Sequence, residues 1–139
     1  MVSGAAIIEL MGQPKGVPVR FTVANTLAIE KGDILRLKEP RTASGCLASD
    51  VGVPFCGIAA EEKVASDGAT SIGVWTKGIF DCVIDTALPA GSMLRISGCN
   101  ELGYLAASGI ASVSGGEIVG KLLEDSAAGE VCAVALGIY

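Results

Sequence analysis

From Val17 onward, apolar and polar positions follow the two-residue period of β-strands. Val17, Val19, Phe21 and Val23 alternate against Pro18, Arg20, Thr22 and Ala24, the pattern of a half-buried strand. Pro18 assigns the start of that run to a sheet edge, because it has no N–H to give to a ladder. "EKGD" predicts a turn into a second strand, "ILRLK", and the small residues between Pro40 and Pro54 read as a loop. "FCGIAAEEKVA" and "TSIGVWTKG" flank "SDGA", whose Asp-Gly pair suits a type I′ hairpin turn. "IFDCVID" follows a bulge or tight turn at Lys77-Gly78, "LPAG" turns the chain into "SMLRIS", and "GEVCAVALGIY" ends it as an apolar strand. "GEIVGKLLED" fits a short helix or a strand about equally, because Gly120 costs a helix about 1 kcal/mol.

An internal repeat favours the strand. Gly32 and Gly91 are 59 positions apart, Gly57 and Gly120 are 63 apart, and Gly68 and Gly129 are 61 apart. Each copy then reaches a Gly-Ile-aromatic sequence, Gly78-Ile79-Phe80 and Gly137-Ile138-Tyr139. Two units of about sixty residues, spanning about 26–80 and 86–139, therefore pack as pseudo-repeats. Two copies with so long a period do not make a solenoid. The expectation is an all-β chain: a compact β-barrel or β-clip-like body over residues 17–139, with an extended N-terminal arm over 1–16. The arm, "MVSGAAIIELMGQPKG", has an apolar stretch too short for a lone helix. It is either ordered by a partner or folded back as an edge strand.

Composition narrows the function. Half of the 139 residues are apolar but only 4% are aromatic, so the core rests on Val, Ile, Leu and Ala. Charged residues, at 18%, fall below the usual quarter, which suits a surface that meets other subunits. A net charge of −5 with scattered basic residues argues against nucleic acid or an anionic membrane as partner. No run approaches the roughly 18 apolar residues of a membrane helix. The five cysteines show no C-x-x-C spacing and read as reduced thiols.

Candidate chemistry is thin. With no histidine the chain lacks the usual neutral-pH base, and no phosphate-binding glycine loop is present. Asp81 and Asp85 share a strand face about 13 Å apart, too far to couple. Glu61-Glu62 and Glu124-Asp125 recur at matching places in the two units and read as solvated strand ends, with a calcium site as the minor alternative. No catalytic, cofactor or metal residues are assigned, and the chain is not expected to be an enzyme. Trp75 reads as an interface anchor in preference to a ligand contact.

"KGDILRL", "CGIAAEE", "GVWTKGIFD", "ALPAGSMLRI" and "AAGEVCAVAL", in this order over Thr22 to Leu136, resemble the small capsid decoration (cement) proteins of tailed bacteriophages and related viruses. The shared landmarks are Gly32-Asp33, Gly57-Ile58-Ala59, Lys77-Gly78-Ile79-Phe80, Ala90-Gly91 and Ala128-Gly129-Glu130. This chain departs from the general pattern in its longer apolar N-terminal segment and its extra cysteines. The resemblance implies a protein made in the host cytoplasm that forms a homotrimer. It would bind the major capsid protein on the outer surface of an icosahedral shell and stabilise contacts between capsomers. Ala5, Ala6, Ile7, Ile8, Leu10 and Met11 of the arm, with Val19 and Phe21 where the body begins, are the candidate capsid contacts. Trp75, Phe80 and Tyr139 are the candidates for a subunit interface. A virion-surface glycan-binding module using Trp75, Tyr104 and Tyr139 is the alternative function.

Overall fold

The computed structural model describes residues 4–9, 18–105 and 116–136, and every regular element in them is a strand. Leu10, Met11 and Tyr139 lie outside the described residues. After the arm strand β1 (Ala6–Glu9) come β2 (Val19–Thr22), β3 (Ile34–Glu39), β4 (Thr42–Gly45), β5 (Phe55–Ala59) and β6 (Ser71–Trp75). These five close into a barrel in the order β2-β4-β3-β5-β6. β7 (Gly78–Ile84), β8 (Met93–Ile96), β9 (Glu101–Tyr104), β10 (Gly120–Leu122) and β11 (Glu130–Leu136) follow. They pair in the order β7-β11-β10-β8-β9, and β9 returns to β7, closing a second barrel with β1 added at its side.

The two barrels are one plan used twice. In each, the first strand pairs parallel with the third and antiparallel with the fifth. The register repeats residue by residue. Leu35↔Gly45, Arg36↔Ser44 and Leu37↔Ala43 become Leu94↔Tyr104, Arg95↔Gly103 and Ile96↔Leu102, each 59 positions on. Leu35↔Gly57 becomes Leu94↔Gly120. The isolated bridge Ile29↔Lys63 becomes Leu88↔Ser126.

Gly57 and Gly120 recur for a steric reason. Here the fourth strand of each barrel runs so close to the fifth that a Cβ on Gly57 would strike Val74 and the Trp75 carbonyl, and one on Gly120 the Ala135 carbonyl.

Several details differ from the sequence reading. The first barrel opens at Val19, within the run already read as a strand, and closes at Trp75. Gly78-Ile79-Phe80 therefore does not end the first unit; it begins β7, the counterpart of β2. The supposed loop after Pro40 contains β4, whose Thr-Ala-Ser-Gly sequence has no apolar period to reveal it. Asp67-Gly68 does turn, with Gly68 at φ 85°. The connection is the long segment between Ala59 and Ser71, however, and not a two-residue hairpin. Gly120–Leu122 is a strand, as the repeat suggests, because its N–H and C=O groups are taken by β8 and β11.

Alternation points one set of side chains into each lumen. Val23 and Ile84, Leu35 and Leu94, Ala59 and Leu122, Val74 and Val134 occupy matching buried positions. Bulk is redistributed at others. Phe21 and Ala43 in the first barrel are answered by Cys82 and Leu102 in the second, large-small against small-large, which keeps a small barrel filled.

The barrels meet wall to mouth. Ile34, Ile58 and Trp75 on the outer wall of the first belong to the same core cluster as Phe80 and Leu136 at the mouth of the second. Polar groups fix the joint. Asn100, in the β8–β9 turn, accepts from the Ile34 N–H (2.9 Å) and donates to Asp33 Oδ1 (3.0 Å), and Gly52 N–H donates to the Ile96 carbonyl (2.9 Å).

Candidate interaction surfaces

The arm resolves one open alternative. Ala5 N–H donates to the Gly32 carbonyl in the first barrel, and Ala6–Glu9 then pair antiparallel with Ile79–Asp81 of β7 in the second. The contact with Gly32 requires glycine on both sides: a Cβ on Gly4 would overlap the Gly32 backbone, and one on Gly32 (φ +92°) would lie 2.6 Å from the Ala5 carbonyl. The arm is thus a strap across both barrels and an edge strand of its own body. Among the described residues β1 pairs only with β7, so it ends the six-stranded sheet and its outer edge is open. An open edge is a template for another strand.

Two of the aromatic interface candidates, Trp75 and Phe80, lie at the joint between the barrels. Phe80 is fully buried, and Trp75 packs against the same core in the seam between the barrels of one chain. Both rings take part in an internal joint, Phe80 completely buried and Trp75 only partly so. Trp75 Nε1 is buried with no hydrogen-bond partner among the described residues. Val19 is 39% exposed, and Phe21 is half-buried beneath the Arg41 guanidinium, 5.9 Å from its ring centre. Ala5 is half-buried against the core. The structure therefore separates the candidate contacts: the arm lies along β7, while Val19 and Phe21 stand at the mouth of the first barrel.

The acid pairs are clips. Glu61 accepts from the Gly73 N–H (2.9 Å) and Arg20 Nη1 (2.9 Å); its counterpart Glu124 accepts from the Ala133 N–H (2.9 Å). Asp125 accepts from the Ala90 N–H (2.8 Å), and Asp85 from the Ser97 hydroxyl. Each of these four carboxylates accepts from a backbone or side-chain donor, and no group of three His, Cys, Asp or Glu among the described residues is placed to hold a metal ion.

A groove of about 720 Å³ runs along the first barrel to the seam, lined among others by Asp33, Arg36, Cys46, Asp50 and Cys99, with Leu47 and Val64 on its rim. Those rim residues are strongly exposed, at 68% and 60%. Arg36 and Asp50 form an ion pair at 3.0 Å, and Asp50 also accepts from the Leu47 N–H. At one end lies the residue that sequence reasoning missed. Lys63 is 3% exposed, and its ammonium faces the carbonyls of Asn25 (2.6 Å), Leu27 (3.1 Å) and Val64 (3.2 Å) and Asp67 Oδ1 (3.0 Å). Three N–H donors serve four acceptors, so this is a structural cage with no proton to spare. Nothing in "EEKVA" distinguishes that lysine from a solvated one.

Four of the thiols, those of Cys46, Cys56, Cys82 and Cys132, are held protonated. Burial, assisted by the nearby Asp50 carboxylate, pushes Cys46 up to about 12, and burial alone does the same to Cys56. Cys82, up to about 12 through burial and then Asp81, stands directly opposite Cys132 on β11, whose thiol burial also raises. All five cysteines are free. Thiols held this high are protonated near neutrality and are poor nucleophiles. The arrangement suits packing and contact.

No protein-family model matches the chain, and no curated protein matches it.

Proposed function

We propose that the protein is a virion structural protein, a capsid decoration or cement protein that sits on the outer surface of an icosahedral shell and stabilises contacts between capsomers. The observation that carries this reading is the strap. A short apolar arm ties two barrels together and, among the described residues, leaves one strand edge unpaired. The body behind it directs Glu61, Glu124 and the buried Lys63 to its own framework. Such a molecule is a rigid block with an adhesive edge. The order of short glycine-centred motifs that resembles decoration proteins supports the same reading. The partners are the major capsid protein and other copies of the chain, as a homotrimer. A docked strand gains main-chain hydrogen bonds, and many copies on a lattice raise the effective concentration of each contact.

The glycan alternative has less behind it. The Trp75 ring is engaged in the seam, which leaves Tyr104, 48% exposed, as the described aromatic that a sugar could stack on.

The test is co-sedimentation of the full chain with undecorated shells of the virus that encodes it, with shell disruption temperature as the second readout. Binding that raises this temperature, and that is lost in a chain lacking residues 1–16 but still folded by circular dichroism, is the expected result. A full chain that stays in the supernatant at every ratio would overturn the proposal.

A further inference from the structure

The joint inside the chain is one-sided. The outer wall of the first barrel covers the mouth of the second, burying Phe80 completely. The reverse contact is not made: Val19, the residue of the first barrel that matches Phe80, is 39% exposed. Likewise the turn residue Asn100 is buried against Asp33 and Ile34, whereas its counterpart Arg41, with the same left-handed backbone (φ 52° against 57°), is exposed. A joint in which equivalent units use different faces is heterologous, and such a joint leaves one unused face at each end of the pair. Among the described residues those faces are the mouth of the first barrel, around Val19 and Arg41, and the half-buried outer wall of the second. On that wall Ser92, Met93 and Lys121 stand where Asp33, Ile34 and Ile58 stand in the first barrel.

We infer that the second barrel of one copy docks by its outer wall on the mouth of the first barrel of the next copy, repeating between chains the joint made within each chain. The occupant is a second copy because the two free faces are the pseudo-equivalents of faces already in contact in this molecule. The contact between copies is weaker than the one within a copy. Met93 replaces Ile34, Lys121 replaces Ile58, and Val19 replaces Phe80, so less apolar surface leaves water. Association is therefore reversible and strengthens with concentration. The inference does not depend on a capsid partner, and it assigns the two faces of self-association, which a copy number alone does not.

The experiment uses the full-length chain without shells. One preparation carries Arg41→Cys and another Ser92→Cys, the counterparts of Asn100 and Asp33, whose side chains are 3.0 Å apart across the internal joint. Mixed under mild oxidation, the two preparations should give a disulfide-linked pair, while each alone should give far less. Sedimentation of the unmodified chain should show mass rising with concentration. Val19→Asp should weaken that association at least ~10-fold, and Val19→Phe, which restores the large ring of the covered mouth, should strengthen it; both substitutions are at an exposed site and leave the circular dichroism unchanged. Cross-linking no better in the mixture than in the separate preparations, or a mass that stays monomeric at every concentration, would overturn the inference. Since no shell is present, either failure leaves the capsid reading to its own co-sedimentation test.

Discussion

The two barrels answer the same structural problem with different side chains. Both carry a two-residue backbone bridge beside the turn before their second strand, Ile29 with Lys63 and Leu88 with Ser126. In the first barrel the bridging residue sends a buried ammonium into three carbonyls and a carboxylate. In the second, Ser126 Oγ donates to the Thr86 carbonyl (2.9 Å) and accepts from the Leu88 N–H (3.0 Å). The backbone ladder is common to both, and the side chain is a local way of satisfying the carbonyls that the turn exposes. The seam teaches the complementary lesson. Val19 and Phe80 hold equivalent places, yet one is exposed and the other is in the core, because only one barrel mouth is covered.

The largest effect should separate that last pair. Phe80→Ala should lower stability by about 3–5 kcal/mol through the cavity left in the seam. Val19→Ala should stay within about 0.5 kcal/mol. Urea unfolding of both variants measures the contrast, and equal losses would show that the mouth of the first barrel is covered too.

Next come the matched glycines. Gly57→Ala and Gly120→Ala should each cost about 1–3 kcal/mol from overpacking. Gly120 should lose more, since its Cβ would lie closer to the Ala135 carbonyl than Gly57's would to either Val74 or the Trp75 carbonyl. A neutral result at either position would break the equivalence of the two barrels.

The bridge residues should differ by a smaller margin. Lys63→Met should cost about 2–3 kcal/mol by leaving buried carbonyls without donors, and Ser126→Ala about 1 kcal/mol. Thermal melts of the two variants decide whether the cage is the stronger solution.

The smallest expected effect is acid-dependent. The Ala69 N–H, and then the Lys63 ammonium, hold the Asp67 carboxyl below its ordinary value. The stability it adds is complete above the unfolded-chain value of about 3.9, and it is lost as pH falls through the lower folded value. Between pH 5 and pH 2 the melting temperature of the unmodified chain should therefore fall further than that of Asp67→Asn. Parallel curves would remove Asp67 from the cage.

Much of the architecture was legible in the chain. Strand period, turn glycines and the paired spacings of 59 and 63 positions encode an all-β body made twice, because a repeated backbone plan needs glycine wherever two strands approach too closely for a Cβ. The strands β4 and β9 were not legible. In "TASG" and "ELGY" small or mixed residues pair by backbone alone, and pairing leaves no mark on composition. Nor did the start of each unit show, because Gly78-Ile79-Phe80 looks like the end of an apolar strand until its partner β11 is known. The candidate surfaces depended still more on tertiary structure. Whether "AIIE" is a free arm or a strap, whether Phe80 faces a partner or a core, and whether Lys63 is solvated or caged are all decided by residues far away in sequence: Asp81, Ile34 and Asn25. Periodicity is local and survives in the linear sequence; burial is a property of what arrives from elsewhere, and only the folded chain decides it.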